Sequence, residues 1–154
     1  MKKKIIISVV AVAVLAAVIF AVIAVKNKSA SNSGINSYDS MEEAVKKAAF
    51  NMEYSDRLCG YPATDYRSSS STVEVQYGGG GYIRKTLGVT DNSGESENYS
   101  ETNNQSINGH TVTCKGNDGL IYLAVWNDNN FAYTIKTNTG VSLDEMTEYI
   151  VATR

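Results

Sequence analysis

Residues 107–136, INGHTVTCKGNDGLIYLAVWNDNNFAYTIK, form three runs rich in β-branched and aromatic side chains, separated by short clusters of Asn, Asp and Gly. That is the pattern of antiparallel strands joined by tight turns, and no other stretch restricts the fold as much. Asn108-Gly109 is the sharpest turn signal, because type I′ geometry needs φ > 0 at both central residues. Asn117-Asp118-Gly119 reads as a second hairpin and Asn127 to Asn130 as a third connection. A three-residue loop with Gly119 left-handed in a bulge sets Cys114 across from Tyr122 and Val112 across from Ala124. The next loop then sets Trp126 against Phe131 and Ala124 against Tyr133. One face, with Val112, Cys114, Tyr122, Trp126, Tyr133 and Ile135, is the expected core. The other mixes Thr111, Thr113, Lys115 and Lys136 with Ile121, Leu123 and Val125, and is half apolar.

Ile5 to Val25 is apolar throughout except Ser8. As a helix it would span roughly 31 Å, about the hydrocarbon thickness of a bilayer. Lys2, Lys3 and Lys4 precede it, which keeps the N-terminus in the cytoplasm and sends the chain beyond Lys26 outside. The expected layout is an anchor over residues 1–27, a Ser/Asn-rich tether over 28–38 and an external domain over 39–154. A cleaved signal peptide, with secretion of the remainder, is the alternative. Without Lys2, Lys3, Lys4 and Lys26, the external part has 10 basic against 16 acidic residues, about −6. That balance disfavours nucleic acid, so the lipid bilayer, through 5–25, and an unknown external protein or small ligand are the expected partners.

Ser40-Met-Glu-Glu43 and Ser142-Leu-Asp-Glu145 are capping boxes. The first opens a helix with Met41, Ala44, Val45, Ala48 and Ala49 on one face. The second opens a closing helix with Leu143, Met146 and Ile150. Between them, strands are expected over 63–68, 72–77 and 82–87, then a polar edge strand over 99–107, before the three strands of residues 107–136. Gly140 is read as the end of the last strand. The fold class is therefore α+β: a curved antiparallel sheet of about seven strands, with an N-terminal and a C-terminal helix on one face, preceded by a single transmembrane helix.

The run YSETNNQSINGHTVTCKGNDGLIYLAVWNDNNFAYTI, followed by Gly140 and SLDEMTEYI, resembles domain of unknown function 4367. The stretches EEAVKKAAFNMEYSDRLCGY and YIRKTLGVTDNSGESENYSE are similar in order and spacing. The resemblance implies a small extracytoplasmic protein of Gram-positive gut bacteria, carried on a membrane anchor, with a sheet like that of lipoprotein-carrier domains. It carries over no catalytic residue.

Cys59 and Cys114 are two thiols in an expected oxidising compartment. A disulfide between them would close a loop of about 56 residues and contribute roughly 4 kcal/mol; two separate buried thiols are the other reading. The acidic stretch Gly88 to Asn98 matches a calcium loop poorly, since Ser96 and Thr102 stand where Gly and Glu are required. His110 is the lone histidine, so neither a triad nor a catalytic metal site assembles readily. No metal and no cofactor is expected. Two functions are consistent with these residues. One is a non-enzymatic, membrane-tethered binding or sensing module using the strip Ile121, Leu123 and Val125. The other is an envelope-acting hydrolase using Glu95 and Glu97.

Overall fold

The computed structural model describes residues 34–88 and 93–154. The expected anchor, the first part of the tether, Asp91 and Asn92 lie outside the described residues. In chain order the elements are β1 (Asn36–Tyr38), α1 (Met41–Ala48), β2 (Arg57–Leu58), β3 (Tyr61–Ser68), β4 (Thr72–Tyr77), β5 (Tyr82–Leu87), β6 (Glu101–Ile107), β7 (His110–Asn117), β8 (Leu120–Asp128), β9 (Phe131–Val141) and α2 (Leu143–Val151). The nine strands form one antiparallel α+β sheet in the order β1-β3-β4-β5-β9-β8-β7-β6, with β2 paired to β3. The two strands beyond the expected seven are short. Asn36–Tyr38 belongs to the expected tether by its polar composition, yet it pairs with β3 as an edge. Arg57–Leu58 adds two residues against Tyr61 and Pro62. Among the described residues no helix is long and apolar enough to cross a membrane.

Both capping boxes form. Ser40 Oγ accepts from the Glu43 amide at 3.3 Å and Ser142 Oγ from the Glu145 amide at 3.2 Å. Each bond satisfies an amide that the first helical turn leaves unpaired. Helix α1 ends where Ala49 turns left-handed, and its buried Ala44 and Ala48 allow close approach to the sheet. Ala48 joins Met146 and Ile150 of α2 in one cluster with Val73, Val75, Ile83, Val112, Cys114, Ala124, Trp126, Tyr133 and Ile135. Both helices therefore pack on the same sheet face. Trp126 and Tyr133 stack there with ring centres 5.0 Å apart. At about 25 cal/mol per Å² of apolar surface, this burial is the main drive to fold.

Asn108 and Gly109 both have positive φ, as the type I′ turn requires. The next two turns are tighter than expected, since Asn117 pairs with Leu120 and Asp128 with Phe131. Cys114 consequently faces Ala124, not Tyr122, and Trp126 faces Tyr133, not Phe131. The shift is two residues, so the faces survive for most of the strand pair. They do not survive at Tyr122. Lys115 pairs with Leu123 but Gly116 pairs with Ile121, so β8 carries one residue more than β7 and Ile121 moves to the core face. Thr137 Oγ1 lies 3.4 Å from the Ile121 carbonyl oxygen and 3.3 Å from that of Tyr122, which pins the bulge. Gly140 does not end β9, which continues to Val141. A Cβ at Gly140 would sit 2.7 Å from Leu120 Cβ and from the Tyr122 ring, so glycine is needed for the close approach.

Gly116 is tighter still, because a Cβ there would lie 1.8 Å from the Leu120 carbonyl oxygen. Gly116→Ala is therefore expected to lower unfolding free energy by about 3 kcal/mol, as overpacking against backbone does. In Gly78→Ala the new methyl would meet only Thr64 Cγ2 at 3.6 Å and the Tyr61 side chain at 3.8 Å, both ordinary contacts. Denaturant titration of both variants checks this, and an equal loss in the two would contradict the bulge geometry.

Candidate functional site

The sheet face away from the helices is not a bare surface. Register places Arg67, Glu74 and Arg84 side by side on β3, β4 and β5. Arg84 Nε donates to Glu74 Oε2 at 2.6 Å, Gln76 Nε2 donates to Oε1 at 2.6 Å, and Arg67 Nη1 lies 3.8 Å away. Glu74 is buried, although strand alternation alone reads it as solvent-facing. Its cover is the polypeptide from Ser93 to Ser100, which crosses this face. Tyr82 OH and Arg84 Nη1 donate to the Ser93 carbonyl oxygen at 2.7 and 3.0 Å. Lys136 Nζ bonds to Glu95, and it lies 2.9 Å from Glu97. The Tyr99 hydroxyl donates to Glu97 at 3.0 Å, and the Ser100 amide and hydroxyl donate to Asn117 at 2.8 and 3.0 Å.

These bonds set the charges. Burial alone would lower the Lys136 pKa, but hydrogen bonds to Glu95 and Glu97 outweigh it and hold it raised. The hydrogen bonds from Lys136 and Tyr99 hold the Glu97 carboxyl below its ordinary value. A general acid needs the opposite shift. Glu95 and Glu97, the carboxylates expected of a hydrolase, are brought together on a single ammonium group instead of flanking a cleft. The acidic stretch is thus a polar strap, and the missed signal was a lone Lys among strand hydroxyls, with two Glu spaced to meet it.

The strip Ile121, Leu123 and Val125 does not share one face. Leu123 is 0% exposed, which removes it as a contact residue. Val125 is half-buried and lines a shallow groove of ≈ 220 Å³ with Thr111, Thr113, Lys115, Trp126, Ala132 and Tyr133. Ile121, carried over by the bulge, lines a second groove of ≈ 210 Å³ on the helix side. Its floor is Cys114, Gly116 and Ile121, one wall is Glu101, Asn103 and Gln105 of β6, and Leu143 of α2 closes the other. Leu120 and Leu143, 40% and 39% exposed, are apolar side chains left open in it. The Glu101 carboxylate accepts from the Gly119 amide at 3.1 Å, which ties the β6 wall to the β7–β8 turn.

The expected disulfide is not formed: Cys59 and Cys114 are free thiols. Cys59 sits in the β2–β3 turn, its amide donating to Tyr149 OH at 2.8 Å and its thiol 3.8 Å from the Thr139 carbonyl oxygen. Cys114 lies mid-strand in β7, two strands beyond β9, and the sheet order keeps the two apart. Burial raises the pKa of both thiols, so neither is poised as a nucleophile. His110 is half-buried at the start of β7, opposite Ile107. Among the described residues no group of three or more His, Cys, Asp or Glu side chains could hold a metal ion.

Lys85 gives no signal in the amino-acid order, because it occupies a core-face position within a strand. Its ammonium donates to the Asn51 carbonyl oxygen at 2.8 Å and lies 4.6, 5.3 and 5.9 Å from the ring centres of Phe131, Tyr133 and Phe50. Burial lowers its pKa, with Asp128 and Glu53 pulling the other way. Cation–π contacts compensate part of the lost hydration, and the residue fastens the exit of α1 to the sheet. No family model, no curated protein and no solved structure matches the chain.

The strap should be sensitive to acid. A carboxyl with a depressed folded pKa stabilises above its unfolded value and loses that contribution as pH falls through the folded value. Amide exchange at residues 95–99 should therefore quicken below about pH 4 before the β8–β9 amides respond. Lys136 works in reverse, its contribution holding below its unfolded pKa of about 10.4 and fading above it. In Glu97→Gln the acid response of the strap should be blunted. An unchanged response would contradict the clamp.

Proposed function

We propose that the chain is a membrane-tethered binding or sensing module of the outer cell surface, with a single spanning helix over Ile5–Val25 holding the sheet domain outside. The bilayer is its first partner, and a protein or small ligand outside the cell is its second. No reaction is assigned to it. The likeness to domain of unknown function 4367, with its curved sheet and extracytoplasmic setting, belongs to the same reading. The observation that carries a binding role is the groove beside β6, where Leu120 and Leu143 remain open to solvent next to a strand at the end of the sheet. Isolated exposed leucines are ordinary, but two in one groove at a sheet edge mark a place for a partner.

The tether and the groove can be tested in one strain. Cells displaying the full chain should lose the sheet domain to added protease while intact, and a photoreactive phenylalanine at position 143 should form a discrete adduct. The same label at Leu87 or Val151, which are also exposed, should not. Protection from protease until lysis would remove the external placement. Equal labelling at all three positions, or none at 143, would remove the groove.

A further inference from the structure

The hydrogen bonds of β6 allow the class of partner to be narrowed, on the reading that the groove beside it is a binding site. Ile107 and His110 flank a two-residue turn, so they form a pair bonded in both directions. Gln105 with Val112, Asn103 with Cys114, and Glu101 with Gly116 continue in the same phase. The intervening residues Thr102, Asn104 and Ser106 then direct both their N–H and their C=O away from β7. β6 ends the sheet order, so these groups meet no further strand among the described residues.

Sheet edges are ordinarily blunted by shortness, proline, lysine or a bulge. The opposite edge, β1, is three residues long. β6 is seven residues long, contains no proline or lysine, and pairs with β7 without a register shift. The geometry points to strand addition: an extended peptide pairs with Thr102, Asn104 and Ser106, and its alternate side chains on the helix side stand beside Glu101, Asn103 and Gln105, at the outer wall of the groove. Main-chain bonds hold such a ligand and the groove selects its side chains. The groove's open surface is leucine, which calls for long apolar stems on the alternate side chains that face it. Its two flanking elements carry Glu101, Asp144, Glu145 and Glu148 and no Lys or Arg, which calls for a positive charge at the end of those same stems, so the groove-facing residues are lysines. The partner is thus an extended basic-apolar segment, with its charges raising the rate of encounter.

The probe is a blocked nonapeptide alternating lysine and valine, titrated onto the full chain in phosphatidylcholine nanodiscs. Binding is expected, with slowed amide exchange at Thr102, Asn104 and Ser106. A peptide alternating glutamate and valine should bind weakly or not at all. Asn104→Pro removes the central outward donor while leaving the main-chain bonds to β7, a place where an edge strand accepts proline; the Thr113 hydroxyl bond to the Asn104 side chain is lost equally in Asn104→Ala. It should weaken the lysine–valine peptide about tenfold or more, which corresponds to about 1.4 kcal/mol. Asn104→Ala should stay within about threefold, with unchanged circular dichroism in both. No binding of the lysine–valine peptide, or binding unaffected by Asn104→Pro, overturns strand addition. Equal binding of the acidic peptide overturns the charge assignment. Concentration-dependent dimers that vanish in Asn104→Pro give the edge to a second copy and overturn the peptide. Discrete capture at position 143 together with an inert Asn104→Pro leaves the groove as a binding site and defeats strand addition alone.

Discussion

One residue too many in β8 decides what both faces of the sheet can do. With Lys115 paired to Leu123 and Gly116 to Ile121, Tyr122 is left over, and the two flanking apolar residues go to opposite sides. The irregularity holds because Gly116 and Gly140 leave room for Leu120 and Tyr122, and because the Thr137 hydroxyl bonds to the carbonyl groups around the extra residue. Bulges bend a strand and re-aim its side chains, and this one opens a groove at the end of the sheet.

The two faces are then closed by different chemistry. On one, helices α1 and α2 bury an apolar cluster, with Lys85 held among aromatic rings. On the other, the charged row Arg67, Glu74 and Arg84, with Lys136, is covered by a strap that supplies carboxylates and carbonyl groups. Removing one partner from such a buried set leaves an uncompensated charge, which costs more than the intact pair contributes. The acidic residues of the strap are thereby committed to holding the sheet. Open to solvent are the groove beside Val125 and the margin beside β6, and only at the second do outward backbone groups and two leucines lie together.

Much of this was legible in the amino-acid order. Both capping boxes, the Asn108-Gly109 turn, the polar edge at β6 and the core pair Trp126 and Tyr133 come from local rules with short reach. The register beyond Asn117 was not legible, because two- and three-residue turns suit the same Asn-Asp-Gly sequence and only packing against β9 decides. Leu123 was misplaced for the same reason as Glu74. A period-two pattern reports which face a side chain takes, and nothing about another segment of the chain crossing that face. Ile121 was misplaced because a bulge has no fixed signature except a glycine on the facing strand. The pairing of Cys59 and Cys114 failed because even numbers carry no distance.

The separation of Leu120, Leu123 and Leu143 is most directly tested by solvent paramagnetic relaxation of their methyl groups, with a soluble gadolinium chelate and leucine-labelled protein. Leu120 and Leu143 should relax strongly and Leu123 should stay at the level of the buried core. Relaxation of Leu123 as fast as that of the other two would mean that the strap does not seal this face and that the bulge does not divide it.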